Sequence, residues 1–384
     1  MPDKARILLI TSSYPASRAD GRAAAGIFVQ DFAEELSRRA EVTVLTQMTD
    51  PDVPVTTTEG LLEVVRFPWT GGDKPLSTLS LPKDIGPVIS VLLGSCRYGS
   101  RLIEHNKFDL VFALWAVPCG LTALYLKWRF KLPYAVWALG SDIWGYGQKP
   151  VLKNAVRLTL TRARARFADG FKLKDDVQTL SGLDCAFIPS TRRLSLDTPV
   201  KAELAGDRRN YLFIGRYHPA KGPDVLLEAI ALLPREVRDK VYFHLFGGGP
   251  AESGLAGIIE EKNLADCVRL NGYIEEQKAV AYLTSCDALL IPSRIESIPV
   301  VLSDGLQTGC PLVVSDVGDM GDLMRKYKAG RVVAPESPEE LKEAILRDFN
   351  EGASNFSPGF EELKGVFDLK IAVSALLEQV PPQR

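Results

Sequence analysis

Short apolar runs alternate with longer amphipathic stretches along most of the chain. This alternation is typical of parallel α/β architecture, in which crossover helices join buried strands. The segment 25–40 is the first predicted helix, because Ile27, Phe28, Phe32 and Leu36 share one face. The strands predicted for the first half are segments 7–11, 41–46, 61–67, 110–113, 134–139 and 170–173.

A second series of the same kind begins at Asn210, after the short polar segment 198–209, which we interpret as an interdomain linker. Two Rossmann-like sheets in tandem place their strand-end loops at a cleft. We therefore expect an α/β chain with domains at residues 1–200 and 207–365. The strands predicted for the second series are 211–215, 241–246, 268–271, 288–291 and 312–315, with helices at 223–233, 252–262, 275–285, after Pro299, at 321–327 and at 338–347.

The composition is that of an ordinary globular enzyme, with 384 residues, 46% hydrophobic and 24% charged. Six cysteines lack paired spacing, which argues against a zinc site and a disulfide framework, and only three histidines are present. A strand begins almost at once, so we expect no signal peptide. No apolar run is long enough for a membrane span. These features favour a cytoplasmic location.

Charge is divided unevenly between the two halves. Residues 1–205 carry 26 Lys and Arg against 21 Asp and Glu, whereas residues 206–384 carry 20 against 27. The basic half hints at an anionic partner. Segment 149–167 intersperses Lys149, Lys153, Arg157, Arg162 and other cations with apolar residues. Peripheral contact with an anionic membrane surface is one interpretation of it, and a packed helix with one solvated basic face is the alternative.

Residues 288–316 carry the strongest indication of function. An apolar run leads into a polar turn with one acid, Glu296, after which Pro299 suits the first helical position and Gly309 ends the helix. A helix N-terminus offers free N–H groups to a phosphate, and a neighbouring carboxylate accepts hydrogen bonds from sugar hydroxyls. Together they predict a nucleotide-sugar site.

Several motifs in this order resemble retaining glycosyltransferases of the GT-B fold, family four, also called group 1. Glu296 is followed by seven residues and then Asp304, where the family has a second Glu. Similar matches are residues 213–222 (FIGRYHPAKG), 246–250 (FGGGP), 140–142 (GSD) and 188–191 (IPST). The resemblance implies two Rossmann-like domains facing across a cleft. It also implies that residues 366–384 form a C-terminal helix returning to the N-terminal domain.

The resemblance also implies roles for individual residues. Glu296 would bind donor-sugar hydroxyls, and Arg216 and Lys221 would offset the diphosphate charge. Asp142 is the catalytic candidate on the acceptor side, where the family's usual His is replaced by Leu139. Further donor-binding candidates are Gly247, Gly248, Ile274, Ser297, Ile298, Pro299, Val300, Asp304 and, in the long loop after the first strand that also holds Gly21, Gly26.

The resemblance implies a metal-independent hexosyltransferase that needs no cofactor beyond the nucleotide-sugar donor. The expected acceptor is a glycan or lipid-linked hydroxyl in polysaccharide or glycolipid assembly, and no nucleic-acid partner is expected. Asp50-Pro51-Asp52 matches an Asp-x-Asp metal motif, but its proline-rich surroundings favour loop capping. Two alternatives remain open: a non-catalytic nucleotide-sugar-binding subunit and a GT-B nucleotide-sugar epimerase.

Overall fold

A computed structural model describes residues 4–16, 24–74, 76, 79, 83–148, 150–197, 199–351 and 358–382. The chain divides into two compact units. The first contains Met1–Arg192 together with Leu369–Arg384, and the second contains Arg193–Asp368.

An eight-stranded sheet forms the centre of the first unit, in the order β3-β4-β2-β1-β5-β6-β7-β8. All neighbours in it pair in parallel except β3 with β4. The central strands read as almost unbroken apolar segments because helices cover both faces of the sheet. The strands are β1 Arg6–Ile10, β2 Glu41–Gln47, β3 Thr56–Glu59, β4 Leu62–Phe67, β5 Leu110–Leu114, β6 Tyr134–Ala138, β7 Ala165–Ala168 and β8 Ala186–Phe187.

The helices of the first unit connect these strands, and three of them form one layer. The second packs against the third and the third against the fourth, whereas the first packs on β2 and β4. Two short helical turns at Ser141–Gly145 and Tyr146–Gln148 follow β6. The helices are α1 Ala24–Ser37, α2 Ile85–His105, α3 Cys119–Phe130, α4 Pro150–Arg162 and α5 Phe171–Ser181.

The second unit is a six-stranded parallel sheet in the order β11-β10-β9-β12-β13-β14. Its strands are β9 Arg209–Ile214, β10 Val241–Phe246, β11 Val268–Leu270, β12 Ala288–Ile291, β13 Leu312–Ser315 and β14 Arg331–Val333. Its helices are α6 Pro223–Ala231, α7 Arg235–Arg238, α8 Glu252–Glu261, α9 Glu276–Ser285, α10 Val300–Thr308, α11 Met320–Tyr327, α12 Pro338–Glu351 and α13 Pro358–Val366.

The last helix, α14 Leu369–Leu377, belongs to the first unit and packs on α1. Arg39 Nη1 donates to Ser374 Oγ at 2.7 Å, and Arg164 Nε donates to the carbonyl of Gln379 at 2.8 Å. Buried Ala372, Val373 and Leu376 form its inward face. The end of the chain therefore completes the fold of its beginning.

Strand order reverses once in the parallel part of each sheet. In the first unit β1 lies between β2 and β5, and in the second β9 lies between β10 and β12. In doubly wound folds the crevice outside the carboxyl ends of the strands at such a reversal is where ligands bind. The loops after β9 and β12 are therefore the first place to look for a site in the second unit.

Two predicted elements of the first half are wrong. The segment 170–173 is not a strand, because Gly170 precedes α5 in extended conformation and Phe171 begins that helix. The predicted basic helix 149–167 ends at Arg162, and Ala165–Ala168 is strand β7. Both segments contain apolar residues, and a short apolar run does not by itself distinguish a strand from a buried helix.

Each unit has its own apolar core, one around Val111, Leu126 and Val136 and the other around Tyr211, Leu226 and Phe243. All six cysteines are free thiols. Within the described ranges, no helix is both long enough and apolar enough to cross a membrane.

Candidate nucleotide-sugar site

The loop after β9 turns sharply so that its second half lies against the end of β12. Gly222 has a φ of +65°, and a Cβ there would collide with the carbonyl oxygen of Pro292. Only glycine fits this approach. Gly222 joins a short helical turn, Pro219–Lys221, to the start of α6, so the contact fixes Lys221 beside the loop after β12.

Lys221 and Glu296 meet at this position as an ion pair between Nζ and Oε1. Both side chains are partly exposed, and Ser293 Oγ donates to the same carboxylate oxygen at 3.5 Å. The sequence prediction placed a cation and an acid in separate motifs, and the structure brings them together at the reversal of strand order. Ser293 was not predicted, although it stands three residues before Glu296 in the same turn.

Arg294 holds the two loops against each other. Its guanidinium donates to both carboxylate oxygens of Asp224, at 2.8 and 2.7 Å, to the carbonyl of Pro219 at 2.7 Å and to Glu336 at 2.8 Å. The hydrogen bonds that Arg294 donates to Asp224 lower the pKa of Asp224 and raise the pKa of Arg294. A fork of this kind fixes direction as well as distance, so Arg294 positions the turn that carries Glu296.

Gly318 supports the same turn from the far side. Its φ is +54°, and a Cβ there would collide with the carbonyl oxygens of Glu296 and Ser297. The amide of the next residue, Asp319, donates to the carbonyl of Ser297 at 3.2 Å. No role was predicted for this glycine, because close backbone approach leaves no signal in a sequence except the glycine itself.

Helix α10 begins directly after this turn. Pro299 is its N-cap and Val300 its first residue, one position later than predicted, and Gly309 ends the helix with a φ of +74° as predicted. Ile298 is buried, so it offers only its main chain to a ligand. Ser297 Oγ is buried and has no hydrogen-bond partner among the described residues. Such a hydroxyl costs free energy unless something pairs with it.

Asp304, a predicted donor-binding residue, is a buried acid. It is 1% exposed, within the buried face of α10 that also includes Leu302, Ser303 and Leu306. Donor binding by Asp304 stays a prediction, and this burial restricts access of a ligand to the Asp side chain, which is shorter than the Glu of the family.

The loop after β9 is hydrogen-bonded to the loop after β10, which is in turn hydrogen-bonded to the loop after β11. Tyr217 N donates to the carbonyl of Gly248 at 2.9 Å, and Gly247 N donates to that of Gly272 at 2.7 Å. A Cβ on Gly248 would lie 2.6 Å from the ring of Tyr273, which precedes half-buried Ile274. The predicted glycines thus allow loop packing at this edge, and Arg216, on the same loop as Tyr217, is exposed.

Asp142, the catalytic candidate on the acceptor side, is a buried and hydrogen-bonded carboxylate, and its catalytic role stays a prediction. It is 0% exposed, and its carboxylate accepts hydrogen bonds from the amides of Ala116 at 2.7 Å and Leu139 at 3.2 Å. Burial raises its pKa to about 6 against the opposing effect of these amides. The carboxylate therefore joins the loops after β5 and β6, and both of its oxygens already have donors.

Gly26 lies in the first turn of α1, as the predicted helix 25–40 implies, and not in the loop after the first strand, where it was also placed. A Cβ there would approach Pro15 and the carbonyl carbon of Ser13 at 3.2 Å. The glycine therefore lets the loop after β1 pack closely against α1. Gly21 lies outside the described residues, as does Lys149.

The Asp-x-Asp motif caps a turn as predicted, since Asp52 N donates to Asp50 Oδ1 at 2.9 Å. In the part of the chain that the structure describes, no three His, Cys, Asp or Glu side chains come together as a metal site. Metal independence stays a prediction.

The fold is that of the GT-B class, with two mostly parallel sheets in tandem, and a cation–acid pair lies at the reversal of strand order in the second unit. Residues 197–354 match the family model for glycosyl transferases group 1. The matched residues cover most of the second unit, and together with the relatives that follow they show that the chain is a glycosyltransferase.

Two relatives extend the similarity over most of the chain. A putative teichuronic acid biosynthesis glycosyltransferase of Bacillus subtilis is 25% identical, over 89% of this chain and 88% of its own length. A GDP-mannose-dependent phosphatidylinositol monomannoside mannosyltransferase of Mycobacterium tuberculosis is 24% identical, over 88% of each chain.

Solved structures show the same fold. Sucrose-phosphate synthase from Thermosynechococcus elongatus matches with a TM-score of 0.80 and 19% identity, over 98% of each chain. An Anabaena protein in complex with UDP-glucose matches with a TM-score of 0.69 and 16% identity, over 97% of this chain and 99% of its own. At these identities the likeness supports the GT-B fold alone.

Proposed function

We propose that this glycosyltransferase moves a hexosyl group from a nucleoside-diphosphate sugar to an acceptor hydroxyl, with retention of anomeric configuration and without a bound metal. The observation that carries the proposal is the Lys221–Glu296 pair beside the N-terminus of α10. The bond from the anomeric carbon to the diphosphate breaks and one to the acceptor oxygen forms on the same face. The diphosphate leaves with the electron pair, and the acceptor hydroxyl passes its proton to an oxygen of the departing diphosphate.

The diphosphate is proposed to lie near Arg216, Lys221 and the first amides of α10. Arg216 is exposed and Lys221 partly exposed, and the helix N-terminus adds a partial positive charge. Charges fixed where negative charge develops stabilise a transition state without reorganisation. These groups take the role that a metal would have in offsetting the departing diphosphate.

Glu296 is proposed to accept hydrogen bonds from sugar hydroxyls and so hold the anomeric carbon in place. Its carboxylate is already oriented by Lys221 and Ser293, and Arg294 and Gly318 fix its turn. The neighbouring Ser297 hydroxyl, buried without a partner among the described residues, is suited to bond the same ligand. No protein nucleophile forms part of this proposal.

The acceptor is proposed to be a glycan or lipid-linked hydroxyl held by the first unit, with peripheral contact to an anionic membrane surface. The names of the relatives support polymer or glycolipid assembly, since one refers to teichuronic acid and another to a phosphatidylinositol mannoside. UDP and GDP sugars are the first donors to test, because these relatives and neighbours are named with them.

The first experiment identifies the donor and then tests Lys221. A ligand that binds only the folded chain raises its apparent stability, so the donor is expected to give the largest thermal shift in a panel of nucleotide sugars. Lys221→Ala is expected to weaken binding of the matching nucleoside diphosphate about tenfold or more, the loss of one charge-assisted contact. The control is Lys278→Ala, since Lys278 pairs with Glu203 on the surface of the same unit at 3.1 Å.

The second experiment separates transfer from its alternatives. Release of nucleoside diphosphate should depend on an added acceptor. Formation of an altered nucleotide sugar without acceptor would favour an epimerase, which nothing in the comparisons favours, and binding without turnover on any acceptor would favour a non-catalytic subunit. Equal nucleotide affinity in Lys221→Ala and Lys278→Ala would contradict the placement of the diphosphate.

A further inference from the structure

We propose that the outer face of the layer α2–α3–α4 is a surface that binds an anionic phospholipid bilayer. The inference rests on the proposed function in one respect: a lipid-linked acceptor would give the protein a reason to bind a membrane. It goes beyond the basic segment 149–167, because most of the apolar side chains that carry it lie on α2 and α3.

Exposed apolar side chains concentrate on this layer. On α2 Ile85, Ile89 and Leu93 recur every four residues, which places them on one side of the helix, and Leu93 is 66% exposed. Trp128 on α3 is 72% exposed, and Leu158 on α4 is also exposed. An exposed tryptophan and a row of Ile and Leu are the side chains that enter the boundary between headgroups and acyl chains.

Positive charge follows the same surface. The row on α2 continues at the same spacing with Arg97 and Arg101, both exposed. Helices α2 and α3 carry two Lys or Arg each and α4 carries three, against one acid, Glu104, within the three helices. That acid is paired with Arg129 at 2.8 Å. Anionic headgroups attract such a face, and the attraction adds with each cation near the surface.

The cations that would contact lipid are available. Among the residues that the structure describes, Arg97, Arg101, Lys153 and Arg157 form no ion pair. Two contacts fasten the layer into one surface: Arg129 reaches Glu104 across α2 and α3, and Lys127 Nζ donates to the carbonyl of Arg162 at 2.6 Å across α3 and α4. Arg166 of the same segment is half-buried and donates to three backbone carbonyls, so it belongs to the packing of the unit.

Charge decides between a bilayer and a second copy of this chain. An isologous contact would set this basic face against itself, and like charges oppose that approach. An anionic bilayer matches both the cations and the apolar side chains. Its surface is also extended enough to meet three helices at once.

The test is co-sedimentation of the full chain with vesicles of phosphatidylcholine, with and without about one third phosphatidylglycerol. Binding is expected to the anionic vesicles and to be at least about tenfold weaker to the neutral ones. It should weaken but persist as salt rises from about 0.1 M to about 0.5 M, because screening affects only the charged part.

The pair Ile89→Ser with Leu93→Ser is expected to lower partitioning about tenfold or more, and so is Arg97→Gln with Arg101→Gln. The matched control is Ile371→Ser on α14, where a 57% exposed isoleucine lies on the helix that packs with α1, outside this layer. Trp128→Phe should remove most of the shift of tryptophan emission that vesicles cause.

Wild-type binding that is equal for neutral and anionic vesicles, or absent from both, would overturn the proposal. So would unchanged partitioning of the α2 variants, or a dimer in light scattering that Leu93→Ser dissociates. Turnover on a water-soluble acceptor should not change in Leu93→Ser. A wild-type chain that transfers to a soluble acceptor but does not bind vesicles would contradict the membrane surface alone, and one that binds anionic vesicles without turnover would contradict the proposed function alone.

Discussion

Two acids of the family-like motifs follow strands, one in each sheet, and they differ in burial and in hydrogen-bond partners. Glu296 in the second unit is partly exposed and pairs with a lysine from a neighbouring loop. Asp142 in the first unit is fully buried, and two backbone amides satisfy its oxygens. A carboxylate paired with a mobile, partly solvated cation can exchange partners with a ligand, whereas one bonded to two backbone amides holds its loops in place.

The difference shows that an acid in a family motif does not have to lie at a binding surface. Both residues follow a strand and stand in a recognisable segment, so the sequence treats them alike. Only burial and hydrogen-bond partners separate them. The comparison predicts that changes around Glu296 alter turnover and that changes at Asp142 alter stability.

The largest effect is expected for Gly318→Ala. The new Cβ would collide with the carbonyl oxygens of Glu296 and Ser297, and the left-handed φ adds strain. Together these should lower the free energy of unfolding by about 3 kcal/mol or more, measured by urea denaturation, and reduce turnover of the folded fraction. Gly309→Ala is the control, because its φ is +74° with open space around it, and only about 1 kcal/mol is expected. Equal effects of the two variants would contradict support of the Glu296 turn by Gly318.

Glu296→Gln is expected to lower turnover roughly ten- to a hundredfold or more, because a charge-assisted contact to a sugar hydroxyl is worth about 1.5–3 kcal/mol. Affinity for the nucleoside diphosphate, measured by calorimetry, should not fall, since Lys221 loses its partner and keeps its charge. Full turnover in this variant, or a loss of affinity as large as that of Lys221→Ala, would refute the assigned role.

Asp142→Asn should change how stability depends on pH. The folded carboxyl keeps its proton up to about pH 6, whereas the unfolded one releases it near 3.8, so the folded state binds more protons between these values. The stability contributed by this group is complete below about pH 3.8 and is lost as the pH rises to about 6.

The free energy of unfolding of the wild type, minus that of Asp142→Asn, should therefore fall by about 3 kcal/mol between pH 4 and pH 7. Denaturant curves at several pH values measure this. A difference independent of pH would exclude a raised pKa, and a loss of turnover as large as that of Glu296→Gln without any change in stability would support the catalytic role predicted for Asp142.

The smallest effect is expected for Ser297→Ala. Removing a buried hydroxyl that lacks a partner should leave the free energy of unfolding unchanged or raise it by up to about 1 kcal/mol. Ser100→Ala in α2 is the matched control, because Ser100 Oγ is also buried without a partner among the described residues. Only Ser297→Ala should weaken donor binding, by several-fold in calorimetry. Equal donor affinity in the two variants would contradict a contact between Ser297 and the donor.

Much of the second unit could be predicted from sequence alone. Strands at 241–246, 288–291 and 312–315 have the predicted bounds, because each is a short apolar run bounded by polar or turn residues. The first unit was predicted less well. Helix α2, 21 residues long, was missed, since its exposed Ile85, Ile89 and Leu93 blur the amphipathic period by which helices are recognised.

The sequence by itself determined the class of fold, the motif that holds Glu296 and the limits of α10, because apolar periodicity, helix caps and turn residues are local properties. Tertiary structure alone decided that Lys221 meets Glu296, that Arg294 and Gly318 hold the turn, that Asp304 and Asp142 are buried, and that one helical layer is both basic and apolar. The physical reason is distance along the chain: 75 residues separate Lys221 from Glu296. A contact across that distance depends on which strands become neighbours and on which faces are covered, and no local pattern encodes either.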